Sequence, residues 1–259
     1  MELDLDGKVA FVTGATRGIG RAIALRLADE GCHVGLCARD ADAVATAAGE
    51  LRALGRAAHG VAADVTDEAS LTAAVDEVAA ALHGLDLVVA NAGGAAGGPT
   101  LEDTSAEDWE RTLALNVAHP AVLMRAALPH LRARGGGAAV LIASISGMKP
   151  QPRAQYAAAK AAEIHLAVSL ARELGPDGIR VNALSPGSIL FPGGGWDDRR
   201  RNDTEAFEQW MRRVPARAAG APGGGRRRAC FLLSARAAWI SGTNIVVDGA
   251  QNQPGMAGW

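Results

Sequence analysis

The sequence predicts an α/β fold: a doubly wound parallel sheet of about seven strands with helices on both faces. Three observations carry that expectation. Short apolar runs rich in β-formers alternate with longer alanine-rich stretches whose apolar residues recur at three-and-four spacing. The short runs are almost continuously apolar, as strands covered on both faces require. The first of them ends in a glycine-rich turn that opens a helical stretch.

In chain order the strand runs are "KVAFVTG" (Lys8 to Gly14), "HVGLCAR" (His33 to Arg39), "AAHGVAAD" (Ala57 to Asp64), "LDLVVANAG" (Leu85 to Gly93), "AAVLIASIS" (Ala138 to Ser146), "IRVNALSPG" (Ile179 to Gly187) and "NIVVDG" (Asn244 to Gly249). Stretches such as "RAIALRLADEG" and "ASLTAAVDEVAAAL" lie between them and carry the helical period. Right-handed crossovers then build the doubly wound sheet, with ligands outside the carboxyl ends of its strands.

A chain of 259 residues with 49% hydrophobic content is near the upper size for one core, and no Pro/Ser-rich linker divides it. One domain over 1–259 is expected. A formal net charge of −2 gives no electrostatic case for nucleic acid or an anionic membrane as partner. Cys32, Cys37 and Cys230 are odd in number and lack metal-ligand spacing, so reduced, buried thiols and no metal site are expected. The start "MELDLDGK" lacks a signal-peptide pattern and no apolar run approaches a membrane span, which predicts a soluble cytoplasmic protein.

The turn "TGATRGIG" (Thr13 to Gly20) spaces its glycines G-x3-G-x-G. Gly14 can make the turn, Gly18 can admit a pyrophosphate to the backbone, and Gly20 can let helix and strand close together. "NAG" (Asn91 to Gly93) ends the fourth strand run. A dinucleotide site follows, and charge selects among dinucleotides. An acidic residue at the end of the second strand suits the NAD ribose; here that strand ends "LCARD", with Ala38 in that place, Arg39 beside it and Arg17 in the glycine turn. A charge-assisted hydrogen bond of about 1.5–3 kcal/mol is worth at least about tenfold toward a 2′-phosphate. NADP(H) is therefore preferred. Asp40 is the contrary sign, since a small register shift would return a carboxylate to the ribose and leave NAD(H) possible.

"RAQYAAAKAAE" (Arg153 to Glu163) holds Tyr156, the only tyrosine in the chain, with Lys160 one helical turn further on. A phenol is a poor acid–base catalyst near neutrality, and making it adequate takes about 4 kcal/mol. One ammonium at about 4 Å and an effective dielectric of about 20 supplies that order. A positively charged oxidised nicotinamide would add to it. Upstream, "LIASISG" offers Ser144 and Ser146 at a strand end, and "LALNVAHP" places Asn116 inside an apolar helix.

Together "TGATRGIG", "NAG", "LNV", "SISG", "YAAAK" and "SPG", in this order and spacing, resemble the short-chain dehydrogenase/reductase family, from Lys8 to about Asp248 and including the closing "WISGTNIVVDG". Within it the chain is most similar to the 3-oxoacyl-carrier-protein reductase-like branch. The resemblance implies a Rossmann-type domain in which Tyr156 exchanges a proton with the substrate oxygen and Lys160 acidifies it and meets the nicotinamide ribose. Ser144 would polarise the carbonyl, and Asn116 would support a water linking Lys160 to solvent. Ser144 is chosen over Ser146 because it stands three before Gly147; it is one residue closer to the tyrosine than the commoner spacing, which implies a deletion in "MKPQPRAQ". Gly14, Thr16, Arg17, Gly18, Ile19, Gly20, Arg39, Asn91, Ala92 and Gly93 would hold the cofactor. Asp64 and Val65 would meet adenine; Pro186, Gly187 and Ile189 would close on the nicotinamide. A homotetramer and a small carbonyl or alcohol substrate, with a carrier-protein or CoA thioester among the candidates, are implied in the same way.

Residues 188–215 are expected to form a substrate lid, with Leu190, Phe191, Trp196, Trp210 and Met211 as apolar lining and Gly193 to Gly195 as hinges. Arg199, Arg200 and Arg201 would either meet an anion such as phosphopantetheine or form a solvated charge run. "APGGGRRRACFLL" (Ala221 to Leu233) stands where the family has an acidic helix start resembling "PEEVA". Glycines in a helix interior cost about 1 kcal/mol each against alanine, so this helix is expected to start late or fray. A local frame shift is one source: GGA GGA GGT CGC CGC CGC read one base later encodes Glu-Glu-Val-Ala-Ala, which resequencing of the gene would decide.

The expected function is an NADP(H)-dependent carbonyl reductase or alcohol dehydrogenase. An NAD-linked dehydrogenase of a sugar, steroid or diol is the alternative. A non-catalytic NADP-binding sensor or scaffold is the third, and it would require broken catalytic residues, which the sequence does not show.

Overall fold

In the computed structural model, which describes residues 2–214 and 219–251, each apolar run forms a strand and each alanine-rich stretch a helix. β1 (Val9–Thr13) leads through the glycine turn into α1 (Gly18–Asp29), followed by β2 (His33–Ala38), α2 (Ala41–Ala53), β3 (Ala58–Ala62), α3 (Glu68–Ala81) and β4 (Leu87–Ala90). Next come α4 (Ala106–Leu113), α5 (His119–Ala133), β5 (Gly137–Ile142), α6 (Ala154–Leu174) and β6 (Ile179–Pro186). The chain continues through α7 (Gly195–Asn202), α8 (Thr204–Arg213), α9 (Pro222–Leu233) and β7 (Asn244–Val247).

All seven strands are parallel, in the order β3-β2-β1-β4-β5-β6-β7. Their side chains alternate between two cores, as the pleat demands. Ala10, Val12, Leu87, Val89, Ala138 and Val140 pack with α1, α2 and α9 on one face. Val9, Phe11, Val88, Ala90, Ala139 and Leu141 pack with α3, α5 and α6 on the other. The chain leaves the β3 edge and returns to pair β4 with β1, so strand order reverses at β1/β4. That reversal opens a crevice beyond the strand ends where ligands bind. Cys32, Cys37 and Cys230 are buried free thiols, and burial pushes those of Cys32 and Cys37 up to about 12. Among the described residues no helix is long and apolar enough to cross a membrane.

Two local expectations need correction. Asn116 does not lie in a regular α-helix: residues Ala114–Ala118 form a π-helical turn between α4 and α5. One extra residue in that turn re-aims the side chains on it, a device found often at functional sites. The helix after Ala221 neither starts late nor begins beyond its glycines; α9 starts at Pro222. Proline suits the first helical position, and the far end is anchored by fully buried Ala229, Cys230, Leu232 and Leu233 packed with Ala24 and Leu27 of α1. A Cβ at Gly224 or Gly225 would meet open space. The double replacement Gly224→Ala/Gly225→Ala is therefore expected to raise stability by about 2 kcal/mol, measured by urea unfolding.

Asp86, buried just before β4, fastens the bottom of the sheet. It accepts the Val9 N–H (2.9 Å), the Arg134 guanidinium (3.1 and 3.3 Å) and Lys8 Nζ (3.3 Å). Burial pushes its carboxyl up, but Arg134, the Val9 amide and Lys8 outweigh that and hold it below the ordinary range. A carboxyl lowered on folding stabilises above its unfolded value and loses that contribution as pH falls through the depressed one. Asp86→Ala is expected to cost about 3 kcal/mol at neutral pH, and the difference from wild type should shrink in strong acid; unfolding curves across pH check both.

Candidate active site

The glycine turn is bolted to the end of β4. Gly14 (φ 64°) and Gly18 (φ 59°) adopt left-handed backbone that other residues resist. A Cβ at Gly20 would overlap the Asn91 side chain and the Gly14 carbonyl. Asn91 donates its Nδ2 to the Thr13 and Gly14 carbonyls (2.9 and 3.1 Å), and its N–H to Thr13 Oγ1 (2.9 Å). The turn and "NAG" are thus one unit, with α1 starting directly behind it.

A cavity of about 2020 Å³ lies over this unit. Gly14, Thr16, Arg17, Gly18 and Ile19 form its floor, while Arg39, Asp64 and Val65 form one end. Asn91, Ala92 and Gly93 continue into the middle, where Ser144, Tyr156 and Lys160 stand opposite Pro186, Gly187 and Ile189. Of the catalytic and cofactor residues expected from sequence, only Gly20 and Asn116 lie outside its walls, and both brace it from behind. Asn116, fully buried, donates Nδ2 to the Gly94 and Thr112 carbonyls (both 2.7 Å) and accepts the Gly94 N–H (3.2 Å). A Cβ at Gly93 would stand 2.9 Å from Asn116 Oδ1 and 3.2 Å from Lys160 Nζ, so Gly93 is where the two approach.

Tyr156 and Lys160 project from the first turns of α6 on one face, and Nζ lies 5.7 Å from the phenol ring centre. The lysine is buried and donates to the Ile142 carbonyl (2.8 Å) and to Glu163 Oε2 (2.6 Å). Burial opposes its charge; the adjacent Glu163 carboxylate outweighs this and holds Lys160 above its ordinary value. Burial likewise pushes Glu163 up to about 7 against the pull of Lys160. These tendencies compete, because a proton on Glu163 would weaken the hold on Lys160. A 2.6 Å contact between two buried side chains favours ammonium and carboxylate as the form above that point. His119, also buried, is pushed down to about 4 by burial and stays neutral beneath the site.

Ser144, two residues past β5, is in extended backbone, its Oγ accepting the Ser146 N–H (3.1 Å), and both serines face the cavity. The loop between serine and tyrosine enters α6 through Arg153 in a left-handed conformation (φ 66°). Buried Gln155 ties this entrance to the 94–100 loop by donating to the Ala96 and Gly98 carbonyls (2.8 and 3.2 Å).

The lid differs from expectation in its lining. Trp196 and Trp210 face the cavity and stack with centroids 3.9 Å apart, but Leu190 and Met211 are not on its walls. Phe191 packs on Gly18 and Gly194, over the glycine turn. Asp197 pairs with Arg200 and Arg201, leaving Arg199 stacked over Trp196 at 5.7 Å and facing the cavity. Of the three glycines, Gly193 is left-handed and Gly195 begins α7. Pro215, the last residue assigned to the lid, lies outside the described residues.

The short chain dehydrogenase family model matches residues 8–194. The chain belongs to the short-chain dehydrogenases. The 7α-hydroxysteroid dehydrogenase of Escherichia coli K12 is 36% identical over 249 residues, covering 95% of each chain. L-sorbose reductase from Gluconobacter frateurii, solved with NADPH and L-sorbose, superposes with a TM-score of 0.91 at 32% identity over 98% of this chain and all of the other. A 7α-hydroxysteroid dehydrogenase solved with NADH and 7-oxo glycochenodeoxycholic acid gives 0.88 at 36% identity, covering 96% and 95%. As a short-chain dehydrogenase the protein is an oxidoreductase acting on alcohols and ketones.

Two residues at this site escaped the sequence reading. Glu163 three after Lys160 was visible as a spacing, but a glutamate on a helix normally marks the solvent side. Gln155, directly before the tyrosine, carries no signal that separates a loop clamp from an exposed amide.

Proposed function

We propose that the protein is an NADP(H)-dependent carbonyl reductase, an alcohol dehydrogenase in reverse, acting on a ketone or β-keto (thio)ester with Tyr156 as acid–base residue. The observation that carries this reading is Tyr156 on the wall of the cavity floored by the glycine turn, with a buried ammonium behind it. The residues fit a dinucleotide: Gly14 and Gly18 bring bare backbone to the cavity floor, with the Phe191 ring of the lid resting over Gly18, and the start of α1 favours an anion there. The turn from Gly14 to Gly20 would hold the pyrophosphate, Asp64 and Val65 the adenine end, and Asn91 to Gly93 with Pro186, Gly187 and Ile189 the nicotinamide end. When bound, that cofactor supplies or takes up the hydride. Ser144 orients the substrate oxygen, and Tyr156 gives it a proton on reduction and removes one on oxidation. Lys160 keeps positive charge beside the phenol, and Asn116 holds the strand-end loop and supports a water path to Lys160.

The preference for NADP(H) rests on three features. Ala38 ends β2, and Arg17 and Arg39 face the cavity, Arg39 beside the Asp64 carboxylate that its charge helps to hold low. Asp40, the contrary sign, caps α2 by accepting the Asp42 and Ala43 N–H groups (both 3.0 Å), which engages its carboxylate. Arg39→Asp is expected to shift the NADPH/NADH ratio of kcat/KM toward NADH by at least about tenfold. An NAD-linked dehydrogenase of a sugar, steroid or diol is the second reading, favoured by the similar steroid dehydrogenase solved with NADH. Arg199, left over from the Asp197 pairs, supports an anionic tail on the substrate, such as a carrier or CoA thioester. A homotetramer, implied by the family resemblance, is checked by sedimentation. A panel of carbonyl substrates with both coenzymes, run beside Tyr156→Phe, tests the function itself.

A further inference from the structure

Lys160 has three N–H groups to place. The Ile142 carbonyl takes one and Glu163 takes a second. Lys160 forms part of the cavity wall, while Glu163 does not. Both side chains are only 3% exposed, so bulk solvent screens the pair little. One N–H therefore remains for the cavity side, where Tyr156 stands.

We propose that Glu163 is a positioning residue of the reaction, which keeps Lys160 charged at depth and turns its remaining N–H toward Tyr156 and the cofactor. This rests on the reading of Tyr156 as the acid–base residue. A buried ammonium without a counter-charge sheds its proton as pH rises, and a neutral amine cannot stabilise a phenolate. The carboxylate does not cancel the benefit. Tyr156 and Lys160 both line the cavity, with Nζ 5.7 Å from the ring, whereas Glu163, two turns of α6 beyond Tyr156, lies outside its wall. Besides Tyr156, the titratable group facing the pair is His119 at the start of α5, which is neutral; β5 contributes the Ile142 carbonyl.

Because the chain has one tyrosine, tyrosinate ultraviolet absorbance reports Tyr156 without any substrate. In the full-length protein, Glu163→Gln is expected to move the onset of that absorbance upward by about one pH unit or more. It should also lower kcat by about tenfold while KM moves less than about twofold, the pattern of a reaction-specific interaction. An onset that is unchanged or moves downward, with a folded variant, overturns the proposal. Should Glu163→Gln fail to fold, nitrogen NMR of wild type carries the test, since Lys8, Lys149 and Lys160 are the only lysines. Lys160 is expected to remain an ammonium throughout the range in which the tyrosine ionises; a neutral amine in that range overturns the proposal. Full activity in Tyr156→Phe would instead refute the underlying assignment of the acid–base residue, whatever Glu163 does.

Discussion

Tyr156→Phe is expected to lower kcat for carbonyl reduction by about 10³-fold, with coenzyme affinity changed by less than about threefold. The substitution removes one hydroxyl from a half-buried ring on the cavity wall and leaves the packing of α6 untouched. No other side chain in the centre of the site can replace it. Ser144 and Ser146 are far weaker acids, Lys160 is engaged by Glu163 and Ile142, and His119 is buried beneath the site. Steady-state kinetics, with coenzyme binding followed by quenching of the cavity tryptophans, separates lost chemistry from lost binding. A loss confined to KM would place the tyrosine in binding alone.

Lys160→Met is expected to fail twice, in stability and in catalysis. It removes the cation from a pair whose two side chains are each 3% exposed, leaving a buried carboxylate without a partner. Breaking such a pair costs about 3–5 kcal/mol, while replacing both partners by apolar groups is often neutral. The double variant Lys160→Met/Glu163→Leu should therefore regain most of the stability lost by Lys160→Met. It should regain none of the activity, because the positive charge beside Tyr156 is still missing. Unfolding midpoints and kcat measured on the same two proteins check this. Parallel recovery of both would mean that the lysine serves folding only.

The fold was largely legible because its signals are local and repeated. Every strand run quoted from sequence contains a strand, since β-formers buried on both faces leave little choice of structure. The glycine turn and the tyrosine–lysine spacing were legible for a similar reason: left-handed backbone and a shared helix face are properties of residue type and interval. The π-helical turn at Ala114–Ala118 was not, because a single inserted residue leaves the surrounding helical period intact. Glu163 was misleading to propensity: only the packing of α6 against β5, with an ammonium already buried there, makes an interior glutamate tolerable. In α9 the apolar end decided the outcome, and the glycines followed it into helix. The arginine triplet was sorted by Asp197, whose partners are set by one turn of α7.

The central claim is that a lone phenol becomes a usable acid because a buried ammonium and a bound oxidised coenzyme stand beside it. Tyrosine labelled at Cζ gives a single carbon NMR resonance in this chain, and its titration in the NADP+ complex measures the claim directly. The account predicts ionisation well below the ordinary phenol value of about 10, moving back toward it when Lys160 is replaced. Ionisation at or above that value in the complex, or a titration indifferent to Lys160, would contradict it.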